Sequence, residues 1–150
     1  MRLTFDTNIL VYAADADAGE RHVAATDLVR RAVGADCVLT LQTLSELFNV
    51  TTRKLRLAAR DAASLVNRLR DVFPVHPADE AALDDAMAAV QRETLAFWDA
   101  MLWATAQRAG CRIILTEDFQ DGRRLGAVSF LNPFLSRNRK RLESVLSAGE

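Results

Sequence analysis

Cysteine and histidine are scarce in this sequence. Its 150 residues include two of each, Cys37 and Cys111, and His22 and His76. The cysteines lie far apart and have no ligand-like spacing to either histidine, so a zinc site is not expected. None of the four stands in a Ser–His or Cys–His arrangement of the kind that activates a nucleophile. We expect both cysteines to be buried, reduced thiols.

Long apolar runs are also missing. No stretch is long enough to cross a membrane, and the N-terminus lacks the basic-then-apolar order of a signal peptide. We therefore expect a cytoplasmic protein with no membrane partner. No internal repeat or low-complexity linker interrupts the chain, which predicts a single domain over residues 1–150. A domain of this length buries roughly 70% of the surface of its unfolded chain.

Charge is nearly balanced, and the formal net charge of -1 gives no overall indication of a nucleic-acid partner. Two short segments, "TTRKLRL" and "SRNRKRLES", are nevertheless basic. Clusters of this kind can meet phosphates, although they are more often the solvated face of a helix. Their basic residues are Arg53, Lys54, Arg56, Arg137, Arg139, Lys140 and Arg141.

Short apolar runs of strand length alternate with longer stretches of helical periodicity. The predicted strands are residues 2–5, 37–41, 73–77, 112–116 and 127–131. The predicted helices are residues 19–33, 42–56, 60–72, 78–93 and 98–109. This alternation predicts an α/β fold with a parallel sheet covered on both faces and right-handed crossovers. In such sheets ligands bind beyond the carboxyl ends of the strands.

Four carboxylates occupy that kind of position. Asp6 directly follows the first strand, and Glu46 lies in the helix after the second strand. Asp99 begins the helix that leads into the fourth strand, and Asp118 follows that strand. If the first and fourth strands are neighbours, all four can converge, and each then raises its neighbours' pKa. Oxygen-only ligands of this kind suit Mg²⁺ or Mn²⁺.

Each carboxylate also has an ordinary structural explanation. Asp6 and Asp99 could cap the helices that begin beside them. Glu46 on a helix is usually solvated, and Asp118 stands in a turn-rich segment where Asp stabilises turns. Taken singly, these explanations are preferred. The occurrence of all four acids around the strand ends favours a shared metal site.

Five segments together resemble the PIN domain family: "FDTNILVY", "LSELFNV", "FWDAMLWATAQRAGC", "ILTEDFQDG" and "VSFLNPF". Within that family the sequence is most similar to the VapC-like toxins of VapBC toxin–antitoxin pairs. The resemblance implies a PIN-like three-layer fold, with a five-stranded parallel sheet flanked by helices. It also implies a Mg²⁺- or Mn²⁺-dependent endoribonuclease, the toxin of a type II toxin–antitoxin pair.

The resemblance assigns roles to particular residues. The acidic residues that match the catalytic, metal-binding positions are Asp6, Glu46, Asp99 and Asp118. Asn8 and Thr116 match the polar residues that support them. Glu117 and Asp121 flank Asp118, and any of the three could face the metal. The Thr-x-Asp pattern favours Asp118.

The resemblance also implies partners besides the RNA substrate. A VapB-like antitoxin would place a helix in an apolar groove at helices 42–56 and 60–72, and an antitoxin arginine could reach the acidic cluster. We expect most of the apolar residues of these two helices to pack into the core, although one sheet face need not cover all of them. These residues are Leu44, Leu47, Phe48, Leu55, Leu65 and Leu69. A homodimer is expected, its two active sites facing one groove, with Arg123 and Arg124 lining the route of the RNA.

Three other classes of protein are alternatives to a PIN nuclease. A haloacid-dehalogenase-like phosphatase needs a second Asp two residues after the first, where this chain has Asn8. A response-regulator receiver needs a Lys after the last strand, near Asn132 or Pro133. A catalytically inactive PIN scaffold that binds RNA or protein is the remaining alternative. It has no reason to keep four mutually repelling carboxylates.

Overall fold

Six short strands alternate with seven α-helices in the computed structural model, which describes residues 1–147. The strands are β1 (Leu3–Phe5), β2 (Leu39–Thr40), β3 (Val75–His76), β4 (Ile113–Leu115), β5 (Arg124–Leu125) and β6 (Val128–Leu131). The helices are α1 (Thr7–Ala14), α2 (Glu20–Ala32), α3 (Leu41–Arg53), α4 (Ala59–Val72), α5 (Glu80–Arg92), α6 (Phe97–Arg108) and α7 (Arg139–Ser147). In this part of the chain, no helix is long and apolar enough to cross a membrane.

The predicted α/β class is confirmed, but the five-stranded parallel sheet is wrong in detail. A mixed four-stranded sheet has the order β1-β4-β6-β5, in which β5 alone runs antiparallel to its neighbour. Strands β2 and β3 form a separate parallel pair, joined to β1 only by a single bridge between Leu3 and Cys37. The pair is short because the chain turns into a helix at once, with Thr40 as the N-cap of α3.

Each predicted strand and helix has a counterpart, and three elements were not predicted. Strand β5 has only two residues, an exposed arginine and a half-buried leucine, so it lacks an apolar pattern. Helix α1 begins within the apolar run after β1, where Asp6 caps it. Helix α7 carries the basic segment "SRNRKRLES" onto an exposed face, while Leu142, Val145 and Leu146 are buried beneath it.

The core lies in two layers, one on each face of the sheet. Side chains alternate across strand β4, so Ile113 and Leu115 face one layer and Ile114 faces the other. The first layer is covered by α1 to α4 and α7, and the second by α5 and α6. Cys37 and Cys111 are buried, free thiols as expected, and burial raises the pKa of Cys111 to about 12.

Gly126, in the turn between β5 and β6, has a φ of +56°. A Cβ there would lie 2.2 Å from Oε1 of Gln107, the oxygen that accepts a hydrogen bond from the backbone N–H of Ala127. We expect Gly126→Ala to lower the free energy of unfolding by about 2–4 kcal/mol, from backbone strain and the lost bond. Chemical denaturation measures the change.

Gly122 provides the matched control, because its φ is +80° and a Cβ there would meet nothing within 4 Å. Gly122→Ala therefore carries only the backbone cost of about 1–2 kcal/mol. Equal losses in the two variants would show that the contact with Gln107 contributes nothing.

Candidate functional site

The carboxyl ends of β1 and β4 lie side by side, because the two strands pair in parallel with Phe5 opposite Leu115. The next residue on each strand is polar: Asp6 after β1 and Thr116 after β4. The backbone N–H of Asp6 still donates to the carbonyl of Leu115, at 2.9 Å. Both side chains therefore emerge at one edge of the sheet, where ligands bind in parallel α/β folds.

Asp6 is buried, with 9% of its surface exposed, and both of its carboxylate oxygens accept hydrogen bonds. Oδ1 accepts from the backbone N–H of Thr7 and Oδ2 from the hydroxyl of Thr116, each at 2.7 Å. Burial is the main reason that its pKa rises from 3.8 to about 6, and the two hydrogen bonds oppose that rise. The charges of Asp118 and Asp99 raise it further. Asp6 thus caps α1 and also faces other carboxylates.

Glu46 lies on α3 and is held by two donors. Its Oε2 accepts from the hydroxyl of Thr7 at 2.6 Å, and its Oε1 accepts from Nε2 of Gln42 at 2.9 Å. The same Nε2 also donates to the backbone carbonyl of Trp98 at 3.0 Å. Since Trp98 directly precedes Asp99, Gln42 ties the carboxylate on α3 to the start of α6.

Asp99 and Asp118 complete the cluster. Burial, followed by the charges of Asp118 and Glu46, raises the pKa of Asp99. Oδ2 of Asp118 accepts a hydrogen bond from Nδ2 of Asn8 at 2.8 Å, and the backbone N–H of Asp118 donates to the hydroxyl of Thr116 at 3.2 Å. The four acids are therefore electrostatic neighbours, each within range to affect another's ionisation.

Glu117 and Asp121, the two other candidates in the loop after β4, have partners elsewhere. Glu117 accepts hydrogen bonds from the hydroxyl of Tyr12 and from Nε of Arg21. Asp121 accepts from the backbone N–H of Asn132 at 2.8 Å and from the side chains of Arg137 and Asn138.

The contacts of Asp121 are structural. Partial burial opposes its ionisation, but the three donors outweigh burial and hold its pKa below the usual value. These bonds join the loop after β4 to the segment that leads into α7. Of the three carboxylates in this loop, Asp118 is therefore the one that meets the cluster.

The donor set suits a hard divalent cation, although the side chains do not already form a cage. Within residues 1–147, no group of three or more His, Cys, Asp or Glu side chains is arranged so that it could hold a metal ion. The atoms of the cluster that could ligate a metal are all oxygens, however. Oδ1 of Asn8 and Oε1 of Gln42 are buried without a hydrogen-bond partner in the described chain. Unpaired buried oxygens beside clustered carboxylates are groups that Mg²⁺ or Mn²⁺ would satisfy.

Thr7 and Gln42 are site residues that the sequence analysis missed. Gln42 precedes Glu46 by four residues, a spacing that places two side chains on one face of a helix. Thr7 adjoins Asp6, but its bond to Glu46 crosses between α1 and α3, so only the tertiary structure reveals it.

The apolar groove expected at α3 and α4 is present in altered form. Leu44 and Leu47 belong to the core, with at most 1% of their surface exposed, and Leu65 and Leu69 pack against it. An open cleft between the two helices is lined by Leu44 together with Leu41, Phe48, Val66 and Arg70, among others. A second cleft continues past Leu41 to Pro77, Trp98 and Met101, and it is bordered by Glu46.

A family comparison identifies the fold. The model of the PIN domain family matches residues 3–124, which is most of the chain. The chain belongs to the PIN domain family. No curated protein matches the sequence closely enough to count as a relative. PIN-domain nucleases generally use divalent metal ions.

Solved structures share this PIN fold at low sequence identity. A toxin–antitoxin complex from Klebsiella pneumoniae is 23% identical, with a TM-score of 0.62, over 88% of this chain and 98% of that one. VapC20 from Mycobacterium tuberculosis, a Sarcin-Ricin loop cleaving toxin, is 20% identical with a TM-score of 0.64, over 77% of this chain and 89% of that one. VapBC2 from Rickettsia felis, bound to a promoter DNA fragment, is 14% identical with a TM-score of 0.60, over 87% of this chain and 97% of that one.

The raised pKa of Asp6 predicts how stability depends on pH when a chelator removes divalent ions. Ionising Asp6 is harder in the folded chain than in the unfolded chain, so its contribution is most favourable below about pH 4. That contribution falls as the pH rises through about 6, by about 3 kcal/mol in all. Asp6→Asn should therefore gain stability relative to the wild type between pH 4 and 7. Urea denaturation across this range measures the gain.

Asp84→Asn, which changes an exposed carboxylate on α5, is the control for loss of one charge. Adding Mn²⁺ at pH 7 should stabilise the wild type and have little effect on Asp6→Asn, since a ligand bound only by the folded state shifts the unfolding equilibrium. A difference between wild type and Asp6→Asn that does not vary with pH would contradict the buried-carboxylate account.

Proposed function

We propose that this PIN domain is a metal-dependent endoribonuclease, and that it serves as the toxin of a type II toxin–antitoxin pair. One observation carries the proposal: at the carboxyl ends of β1 and β4, the charges of Asp118 and Asp99 raise the pKa of Asp6, and those of Asp118 and Glu46 raise the pKa of Asp99. A cluster of like charges is costly unless a cation compensates it. The neighbouring VapC20 is a Sarcin-Ricin loop cleaving toxin, which supports nuclease chemistry here.

Asp6, Glu46, Asp99 and Asp118 would hold Mg²⁺ or Mn²⁺, with Asn8 and Thr116 in support. The bound ion would neutralise charge on the scissile phosphate and make a water molecule a better nucleophile. The chain's own contribution is to hold these oxygens in place before RNA arrives. Thr116 fixes Asp6, Asn8 fixes Asp118, and Thr7 and Gln42 fix Glu46.

Hydrolysis also needs a group that orients the attacking water and accepts its proton. Glu46 and Asp99 are the two candidates. Glu46 is held by two hydrogen bonds, which favours a fixed orienting role. Asp99 has a raised pKa, which favours proton acceptance. The reaction is the same whichever of the two residues takes each role: water attacks phosphorus, and the phosphodiester bond to the leaving oxygen breaks.

Asp6→Asn should slow cleavage of a structured RNA by about three orders of magnitude or more, because charge stabilisation of the transition state is lost. Asp121→Asn is the matched control: it removes a charge from the loop after β4 and weakens the contact with Arg137. We expect it to lose about 1–2 kcal/mol of stability and to keep activity within a few-fold. Gel assays with Mg²⁺, Mn²⁺ or chelator measure cleavage.

The outcomes separate the candidate functions. If Asp6→Asn cleaves RNA as fast as the wild type, or if chelator leaves cleavage unchanged, the metal-dependent nuclease assignment fails. If the wild type binds RNA or a protein partner but cuts nothing with either metal, the chain is instead an inactive PIN scaffold.

An antitoxin is the proposed protein partner. The neighbours from Klebsiella pneumoniae and Rickettsia felis are toxin–antitoxin assemblies, and the second is bound to promoter DNA. The cleft lined by Leu41, Phe48, Val66 and Arg70 has the apolar character that receives an amphipathic helix. An arginine from such a VapB-like antitoxin could also pair with the acidic cluster.

Expression of the wild type alone should slow bacterial growth, and expression of Asp6→Asn at the same level should not. Co-expression with the neighbouring reading frame should restore growth if that frame encodes the antitoxin. Growth curves with protein levels checked by immunoblot give the comparison. Harmless overexpression of active wild type would count against the toxin role.

We also propose a homodimer. Helix α5 carries an apolar stripe of Leu83, Met87 and Val90, each about two-fifths exposed, at helical spacing. A two-fold dimer would cover such a face. Small-angle scattering at micromolar concentration should give the mass of two chains, and Met87→Glu should reduce it to one. A monomeric wild type would remove the proposal.

A further inference from the structure

Arg21, the second residue of α2, is tied to the loop that carries Asp118. Its Nε donates to Oε2 of Glu117 at 3.1 Å, and its guanidinium carbon lies 4.3 Å from the centre of the Phe134 ring. The side chain is nevertheless 46% exposed. The guanidinium also interacts with the hydroxyl of Tyr12 and opposes the rise in its pKa that Glu117 causes. Three contacts thus orient the guanidinium, although nearly half of the side chain remains exposed.

The contacts of α1 place this guanidinium beside the acidic cluster. Asn8 and Tyr12 are one helical turn apart, so their side chains lie on the same face of α1. Asn8 donates to Asp118, and the hydroxyl of Tyr12 donates to Glu117. Glu117 is therefore held beside the same face of α1 as Asp118, and Arg21 contacts both Glu117 and Tyr12.

Two other arginines near this loop use their terminal nitrogens within the protein, whereas Arg124, like Arg21, donates through Nε, to the carbonyl of Gly126. Arg137 places both Nε and Nη2 on Asp121, and Arg123 directs Nη2 to Glu93 and Nη1 to the carbonyl of Thr94. Arg21 differs from these three because its guanidinium, paired with Glu117 through Nε, also lies over an aromatic ring.

Fold stability gives a poor explanation for this arrangement. A cation in the first turn of a helix opposes the helix dipole, and a long side chain loses conformational entropy when it is ordered. A partly exposed guanidinium stacked on an aromatic ring is, in contrast, well suited to a planar or tetrahedral oxyanion. Clustered carboxylates repel RNA, so a cation at their edge would help to admit a phosphate.

We propose that Arg21 is a positioning residue that binds a backbone phosphate of RNA next to the scissile bond, with Glu117 and Phe134 orienting its guanidinium. This inference rests on the proposed ribonuclease function.

The test compares Arg21→Gln with Arg30→Gln, which removes the same charge from an exposed position on the same helix. The dissociation constant of a fluorescent single-stranded RNA is measured by anisotropy with Ca²⁺ at several salt concentrations. Arg21→Gln should weaken binding about 5- to 10-fold and reduce the slope of log K against log salt by about 0.7, the value of one phosphate contact. Arg30→Gln should match the wild type in both.

Phe134→Leu keeps the charge but removes the ring that orients it. It should weaken binding with little change in the salt slope, and in cleavage assays with Mg²⁺ both site variants should raise KM more than they lower kcat. If Arg21→Gln has the affinity and slope of Arg30→Gln, the proposal is overturned. If Arg21→Gln does not fold, Phe134→Leu decides: unchanged affinity there overturns the proposal as well.

Failure of the ribonuclease function has a different signature. The wild type would then cut no RNA with Mg²⁺ or Mn²⁺, whatever the binding data show. An affinity difference between Arg21→Gln and Arg30→Gln would still support phosphate binding at Arg21, whereas equal affinities would overturn it.

Discussion

The hydrogen bond from Thr116 to Asp6 joins the ends of β1 and β4, and the rest of the site depends on it. It lies just beyond the last paired residues of two parallel strands, where the backbone ladder has ended. The same carboxylate caps α1, so the direction of that helix is set by the site itself. Helix α1 then supplies Thr7 to Glu46 and Asn8 to Asp118. One buried carboxylate therefore organises contacts from three separate parts of the chain.

Much of this arrangement could be predicted from the sequence, because strand ends in a parallel sheet share one edge. The predictions found the strand centres and the acids that follow them. They did not find Thr7 and Gln42. The bond from Thr7 to Glu46 and the bond from Gln42 to the carbonyl of Trp98 both cross between helices, which only the tertiary structure reveals. The predictions placed a groove at α3 and α4 and expected most of its leucines in the core. Leu44 and Leu47 are buried, and Leu44 also lines the cleft, because the rotation of α3 about its axis decides which apolar residues meet the core.

Strand β5 shows a second limit of pattern-based prediction. Its two residues pair with β6 through a glycine turn and carry an arginine outward, so neither hydrophobic alternation nor length marks it as a strand. The separate β2–β3 pair has a similar cause. The length of such a two-residue strand is set by tertiary structure, and β2 cannot extend beyond Thr40 because Thr40 is the N-cap of α3.

Helix α3 serves two surfaces at once. Its residue Leu41 borders both open clefts, whereas Gln42 and Glu46 reach the acidic cluster and the backbone just before Asp99. A helix is stiff over this length, so a displacement or rotation of α3 moves the carboxylate and the cleft wall together. With the cation binding proposed above, a ligand that prefers one position of α3 would alter the affinity of the acidic cluster for cations. By thermodynamic reciprocity, cations would alter the affinity of the cleft by the same factor.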